Sequence, residues 1–282
     1  MPQNKIPKTI GFIISSIDSS YRDSLVDALC NQFYAKGYTV LMGMTSHDLK
    51  RERELFVTFS QLVDCIIIIS NAEKYEQIED VVPSDIPVLF LINKPEGTTK
   101  SAIMENDYSA FYQAVVSYAA SHHHKVAYVC SNIKVSSSKE VLKAYVDSLN
   151  SSQIPYDDSL IYDVMDNPEF DAGNLVSDML CKGCGAIICT TPNITNRFLD
   201  YLLFNAQKNS NHPISIYGYG NQSHNLITQL NINIVVHPHN QIVNLAVDQA
   251  LYLMKHPHQT AHRDFLVKGK LKMYTYDGIN NP

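Results

Sequence analysis

Long apolar runs are missing from this chain. No stretch approaches the ~18–20 consecutive apolar residues of a bilayer-spanning helix, so none is expected. The opening MPQNKIPKTIGFIISS lacks the apolar stretch and small-residue cleavage site of a signal peptide, which points to a cytoplasmic protein. Basic charge is also in short supply. Lys and Arg number 22 against 28 Asp and Glu, a net charge of −6, so the chain alone has no basic face for a phosphate backbone. No phosphate-cradling glycine loop, nucleophile elbow or zinc-helix signature occurs, so no cofactor and no catalytic residue is assigned.

The six cysteines lie mostly inside apolar runs (VDCIIIIS, VAYVCS, GAIICT), where reduced thiols behave as small hydrophobes. CKGC at 181–184 invites a metal reading, but zinc needs two further ligands. Gly183 fits a helix C-cap after Cys181, so no metal site is expected there. KRERE at 50–54 reads as a solvated helix face, and HHH at 122–124 as a turn.

What is present is an alternation. The chain has 282 residues, 45% of them apolar, enough for two lobes with cores of their own. Apolar strand patterns fall at 9–14, 38–44, 65–70, 86–93, 125–131, 160–164, 185–190, 214–220 and 232–237. Helical patterns fall between them, near 21–37, 49–63, 138–150, 171–181, 192–208 and 240–255, and the tail 265–276 reads as two short strands. In IMENDYSAFYQ (103–113) a short strand ends in Glu105-Asn106-Asp107 and an aromatic-rich helix follows. Buried strands alternating with amphipathic helices mean an α/β fold with parallel sheets covered on both faces. The number of units exceeds one comfortable sheet, so two doubly wound lobes are expected, with ligands at the carboxyl ends of the strands. No low-complexity linker separates them, so the chain crosses between lobes more than once.

The order of segments resembles the effector-binding core of the lactose-repressor/galactose-repressor family of bacterial transcriptional regulators, over roughly residues 8–275. The residues that carry the likeness are KTIGFIISSIDSSY, HDLKRERELFVTFSQLVDCIIIIS, IPVLFLINK, ENDYSAFYQAVVSYAASHHHKVAYV, GAIICTTPNITNRFLDYL, ISIYGYG and VHPHNQIVNLAVDQALYLM. The resemblance implies two Rossmann-like lobes of the type I periplasmic-binding-protein kind, residues 1–118 plus 237–267 and 119–236 plus 268–282. It puts crossovers near 119–124, 235–237 and 267–269. It also implies a homodimer with a small effector, a sugar or a purine, between the lobes. Family members carry a helix-turn-helix head before this core. The chain begins just ahead of the first core strand, so that head is expected to be absent, and operator DNA would be reached only through it.

Pocket positions depart from the family pattern. Its Asp-Asn pair is reversed as Asn106-Asp107, and its arginine falls on Lys139. Its Asn-Asp falls on Thr191-Pro192, its Asp on Gly220, and its Gln-Pro becomes His237-Pro238. Carboxylates and bidentate arginine normally recognise sugar hydroxyls, so these changes weaken the case for an ordinary sugar and allow a different effector or a degenerate site. The expected ligand-binding residues are Ser16, Tyr21, Asn106, Lys139, Met165, Thr191, Gly220 and His237. Asp107 is expected to cap the helix and Asn106 to face the ligand. Ser137 and Glu140 have capping-box spacing, and Lys139 in that first turn opposes the helix dipole, which suggests a polar or anionic partner. The expected function is a ligand-sensing and dimerisation core rather than an enzyme. The alternatives are a cytosolic α/β enzyme or a stand-alone sugar-binding protein using the same crevice. KRERELF and NRFLDYLLF are candidate dimer faces.

Overall fold

The computed structural model describes residues 8–17, 20–122, 124–164, 169–206, 214–219, 232–257 and 263–273. Within these, the chain forms two compact units. Unit 1 comprises residues up to Glu105, Val135–Ser137 and Pro238–Lys268; unit 2 comprises Asn106–Lys134, Ser138–His237 and the chain from Gly269.

Unit 1 holds a six-stranded sheet of β1 (Thr9–Ile14), β2 (Thr39–Met44), β3 (Cys65–Ile68), β4 (Val88–Leu91), β5 (Ala102–Asn106) and β11 (Asp264–Lys268). The order is β11-β5-β4-β3-β1-β2, and β1 to β5 pair in parallel. Alternate residues serve the two faces, the period-2 consequence of a pleated strand. Ile10, Phe12, Ile14, Cys65, Ile67, Leu89 and Leu91 pack with α1 (Ser20–Ala35) and α7 (His239–Lys255). Ile13, Ile66, Ile68, Val88 and Phe90 pack with Phe56 and Phe59 of α2 (Leu49–Leu62). Gly11 lets α2 lie close, since a Cβ there would stand 2.5 Å from the Phe59 ring. Asp48 starts α2 by accepting the Lys50 N–H at 2.8 Å, and Gly37, at φ +80°, follows the end of α1.

Unit 2 repeats the plan with β6 (Lys125–Cys130), β7 (Ile161–Asp163), β8 (Cys184–Cys189), β9 (Ser215–Tyr219), β10 (Ile232–Val236) and β12 (Lys270–Lys272). The order is β12-β10-β9-β8-β6-β7, parallel except that β12 runs antiparallel to β10. One face meets α5 (Ala172–Cys181) and α6 (Pro192–Ala206), the other α3 (Tyr108–Ser121) and α4 (Ser136–Ser151).

The structure departs from the sequence expectation at the first crossing. Residues up to 118 were placed in the first lobe, with the crossing at 119–124. The observed units instead change at 105/106, and α3 packs in unit 2. The physical reason is the apolar stripe of α3: Phe111, Ala114, Val115 and Tyr118 bury against Tyr217, Tyr219 and Val235 of the second sheet. The other changes of unit fall at 134/135, 137/138, 237/238 and 268/269, and the last puts the tail strands β11 and β12 in different sheets. Among the described residues, no helix is long and apolar enough to cross a membrane.

Candidate functional site

In each sheet the strand order reverses once, beside β1 and beside β6, and groups for a ligand collect at the carboxyl ends around such a point. In unit 1 the residues just beyond the strands are polar. Ser15 Oγ accepts from Arg22 Nη1 at 2.9 Å, and Ser16 Oγ lies 3.3 Å from His47 Nε2. Tyr21, on the first turn of α1, donates its hydroxyl to Glu105 at the end of β5 and meets the His239 ring edge-on, centroids 5.9 Å apart. Beyond β3, Asn71 Nδ2 donates to Thr45 Oγ1 at 2.7 Å. Beyond β4, Asn93 donates through Nδ2 to the Ser70 carbonyl at 3.3 Å and accepts at Oδ1 from Ser137 Oγ at 2.8 Å.

Asn93 is aimed by a rare backbone. Ile92 has φ +67°, and the Asn93 N–H closes back on the Leu91 carbonyl at 2.7 Å, a three-residue γ-turn. A β-branched residue in that region is strained, and such strain persists only where its surroundings hold it. The side chain of Ile92 is buried in the core of unit 1, which supplies that hold.

Unit 2 contains most of the residues singled out from sequence. Asn106 ends β5; its carbonyl accepts the Gly269 N–H at 3.1 Å, and its side chain is partly exposed. Asp107 occupies the N-cap position of α3, but its carboxylate makes no capping bond. Instead Oδ2 accepts from the Tyr219 hydroxyl at 2.5 Å, and Oδ1 lies 2.7 Å from His237 Nε2. The His237 ring stacks on Tyr219, centroids 5.3 Å apart, and the side chains of His237 and Asp107 are 4% and 5% exposed. A Cβ on Gly269 would stand 2.1 Å from Asp107 Oδ1, so glycine there makes room for the carboxylate. His237 is therefore a satisfied, buried imidazole, and Asp107 holds unit 2 together rather than its own helix end.

Lys139 lies exposed on the first turn of α4. Ser137 does not form the anticipated capping box; its hydroxyl goes to Asn93. Thr191 starts α6, its Oγ1 accepting the Ile194 N–H at 3.3 Å and its carbonyl the Thr195 N–H at 3.0 Å. The neighbouring Thr190 Oγ1 is buried without a hydrogen-bond partner. Met165 and Gly220 lie outside the described residues. The structure thus puts Ser16 and Tyr21 in unit 1 and Asn106, Lys139, Thr191 and His237 in unit 2.

One further reading changes. KRERE is not wholly solvated: Lys50, Arg51 and Glu54 are exposed, but Glu52 is fully buried. Burial pushes the Glu52 carboxyl up, against hydrogen bonds from Ser70 and Asn71 that favour its charged form. The signal was its spacing: Glu52 shares a helical stripe with Phe56 and Phe59. Cys65, Cys130, Cys184 and Cys189 are buried core residues, as their apolar runs suggested, while Cys181 is exposed. Burial pushes the Cys65 and Cys130 thiols up to about 12 and that of Cys184 up to about 11, so these three are not poised as nucleophiles or ready ligands.

No family model matches the chain. Among curated proteins it is 24% identical over 159 residues to the transcriptional regulator GalR of Salmonella typhimurium, covering 55% of this chain and 45% of that protein. It is 21% identical over 178 residues to the transcriptional repressor PurR of Vibrio atlanticus, covering 62% and 52%. The chain thus spans about half the length of these relatives. Among solved structures, the Cra dual regulator of Pseudomonas putida in complex with fructose 1-phosphate superposes with a TM-score of 0.78 at 17% identity, covering 95% and 99% of the two chains. A complex of the regulator CelR with cellobiose gives 0.76 at 12%, covering 97% and 85%. CcpA of Lactococcus lactis gives 0.75 at 16%, covering 94% and 97%. The resemblance read from the sequence is thus present in both comparisons: the relatives are GalR and PurR regulators, and the fold is that of lactose-repressor-type regulators.

Proposed function

We propose that this chain is the ligand-sensing and dimerisation core of a lactose-repressor-type transcriptional regulator. A small polar metabolite, a sugar or a close relative, binds at the strand carboxyl ends and controls DNA binding by a helix-turn-helix head. The observation that carries this reading is the set of hydroxyl and amide groups at the strand ends of unit 1, Ser16, Tyr21, Asn71 and Asn93. Neutral donors and acceptors suit sugar hydroxyls, and two structural neighbours are complexes with cellobiose and fructose 1-phosphate. Such a ligand acts only through its differential affinity for two states of the protein.

The enzyme alternative has less support. The relatives are transcriptional regulators. The nearest thing to an acid–base pair, Asp107 with His237, is buried and spends its hydrogen bonds internally.

The test is a thermal-shift screen with cellobiose, fructose 1-phosphate, galactose, ribose and hypoxanthine, with product analysis alongside. A binder present at ~100 times its dissociation constant adds about 2.7 kcal/mol of stability. Sensing is supported by stabilisation without product. Asn106→Ala and Lys139→Ala should each abolish most of the shift while leaving the unliganded melting point nearly unchanged. If both respond like the parent, these residues do not hold the ligand.

A further inference from the structure

α2 is the amphipathic helix whose outer face carries Lys50, Arg51 and Glu54. Its inward stripe holds Phe56 and Phe59, and also Glu52, which is fully buried. A leucine would fill that stripe without a desolvation cost, so a carboxyl group there needs a reason. The reason lies at the exit of β3. Glu52 Oε1 accepts the Ser70 hydroxyl at 2.5 Å, and Oε2 accepts the Asn71 N–H at 2.6 Å. Two donors converge on one side chain, and a carboxylate is acceptor-only with room for both. While donating to Glu52, Ser70 Oγ also accepts the Ala72 N–H at 3.1 Å.

The bonds continue outward. The Ser70 carbonyl accepts from Asn93 Nδ2, and Asn93 Oδ1 accepts from Ser137 Oγ. Beside it, Ser136 Oγ accepts the Lys94 N–H at 3.1 Å. Ser136 and Ser137 open α4 and belong to unit 1, two residues ahead of Lys139. The middle of the line is stiffened by the strained turn at Ile92, which leaves Asn93 little freedom.

We propose that Glu52 is a positioning residue anchoring a hydrogen-bonded line from α2 through Ser70 and Asn93 to Ser137, which couples the state of α2 to the opening turn of α4. Polar chains of this kind reinforce one another in a low-dielectric interior, so loss of one end is felt at the other. The raised proton affinity of Glu52 accords with a carboxyl held there against its desolvation cost. The regulatory meaning rests on the sensing function proposed above: ligand contact at Asn93 or Ser137 would reach α2 along this line. The line itself is tested without ligand.

The experiment is residue-resolved amide hydrogen exchange on the whole chain. Glu52→Leu keeps the apolar stripe packed and removes both acceptors. The Asn71 amide should exchange at least ~10-fold faster, and the Lys94 amide, at the far end, at least ~3-fold faster, with β1 unchanged. Glu52→Gln, which keeps one acceptor oxygen and puts an NH2 donor at the other, should exchange at rates between those of Glu52→Leu and the parent at both positions. Ser137→Ala should in turn speed exchange at Asn71, which also supplies the test if Glu52→Leu does not fold. Changes confined to the mutated end in each variant, with the opposite reporter within twofold of the parent, would overturn the coupling. A failed ligand screen with intact coupling would sink the sensing function and leave the line standing.

Discussion

At the scale of single residues, two acids, Glu52 and Asp107, are buried and take their hydrogen-bond partners from other elements. Asp107 was legible as a helix start, because Asp before an aromatic helical pattern favours the N-cap. Its real partners, Tyr219 and His237, lie more than a hundred residues away in sequence, and no local pattern could reveal them. The same contact explains Gly269. Gly269→Ala would drive a methyl group toward Asp107 Oδ1 and Val235 Cγ1, at 2.1 and 2.9 Å from the ideal Cβ. Overpacking of this kind costs about 1–3 kcal/mol, readable as a lowered urea midpoint. Midpoints equal to the parent would show that the carboxylate does not sit against Gly269.

Glu52 gives a pH-dependent prediction. Its folded-state pKa is raised by burial, so the folded chain holds this proton more tightly than the unfolded chain. Stability from that proton is complete below the ordinary glutamate value of about 4.3 and falls as pH rises through the raised folded value. Glu52→Gln has no such proton to lose. Its urea midpoint relative to the parent should therefore climb as pH increases from about 4.3 toward neutrality. A difference that stays constant with pH would contradict a raised Glu52.

At the scale of elements, strands and helices were largely readable because most apolar strands are followed by an amphipathic helix. The stretch 9–14 and the helix near 171–181 lie within a residue of the observed β1 and α5. Assignment of α3 to a unit was not readable. Its apolar stripe shows that the helix packs on a sheet, but not which of two similar sheets receives it. The turn at Ile92 was hidden for another reason: isoleucine is among the residues least suited to positive φ, so the sequence argued against it. α6 bears on assembly. Phe204 is 67% exposed near its end, and Val57 is 48% exposed on α2. If these helices form the proposed dimer faces, Phe204→Asp should shift the chain toward monomer in sedimentation velocity with little loss of thermal stability. A dimer unchanged by that substitution would place the interface elsewhere.

At the scale of the whole molecule, each of the two six-stranded sheets reverses order once, and polar side chains stand at the strand ends among the described residues. Asn71, Asn93 and Glu105 are not among the residues expected at the site, because their bonds join separate strand ends and a linear pattern does not show such partners. His237, expected among the ligand-binding residues, bonds to Asp107 and stacks on Tyr219, partners that only the fold brings to it.

The most direct measurement is hydrogen exchange on the chain with and without the ligand that stabilises it in the screen. The expected result is slowed exchange confined to segments leaving the strand carboxyl ends, 14–17, 70–72, 92–94, 105–108 and 190–194, with the opposite strand ends unchanged. Protection centred on the amino ends of the strands, or no protection despite saturating ligand, would contradict a sensor that reads its effector where these sheets end.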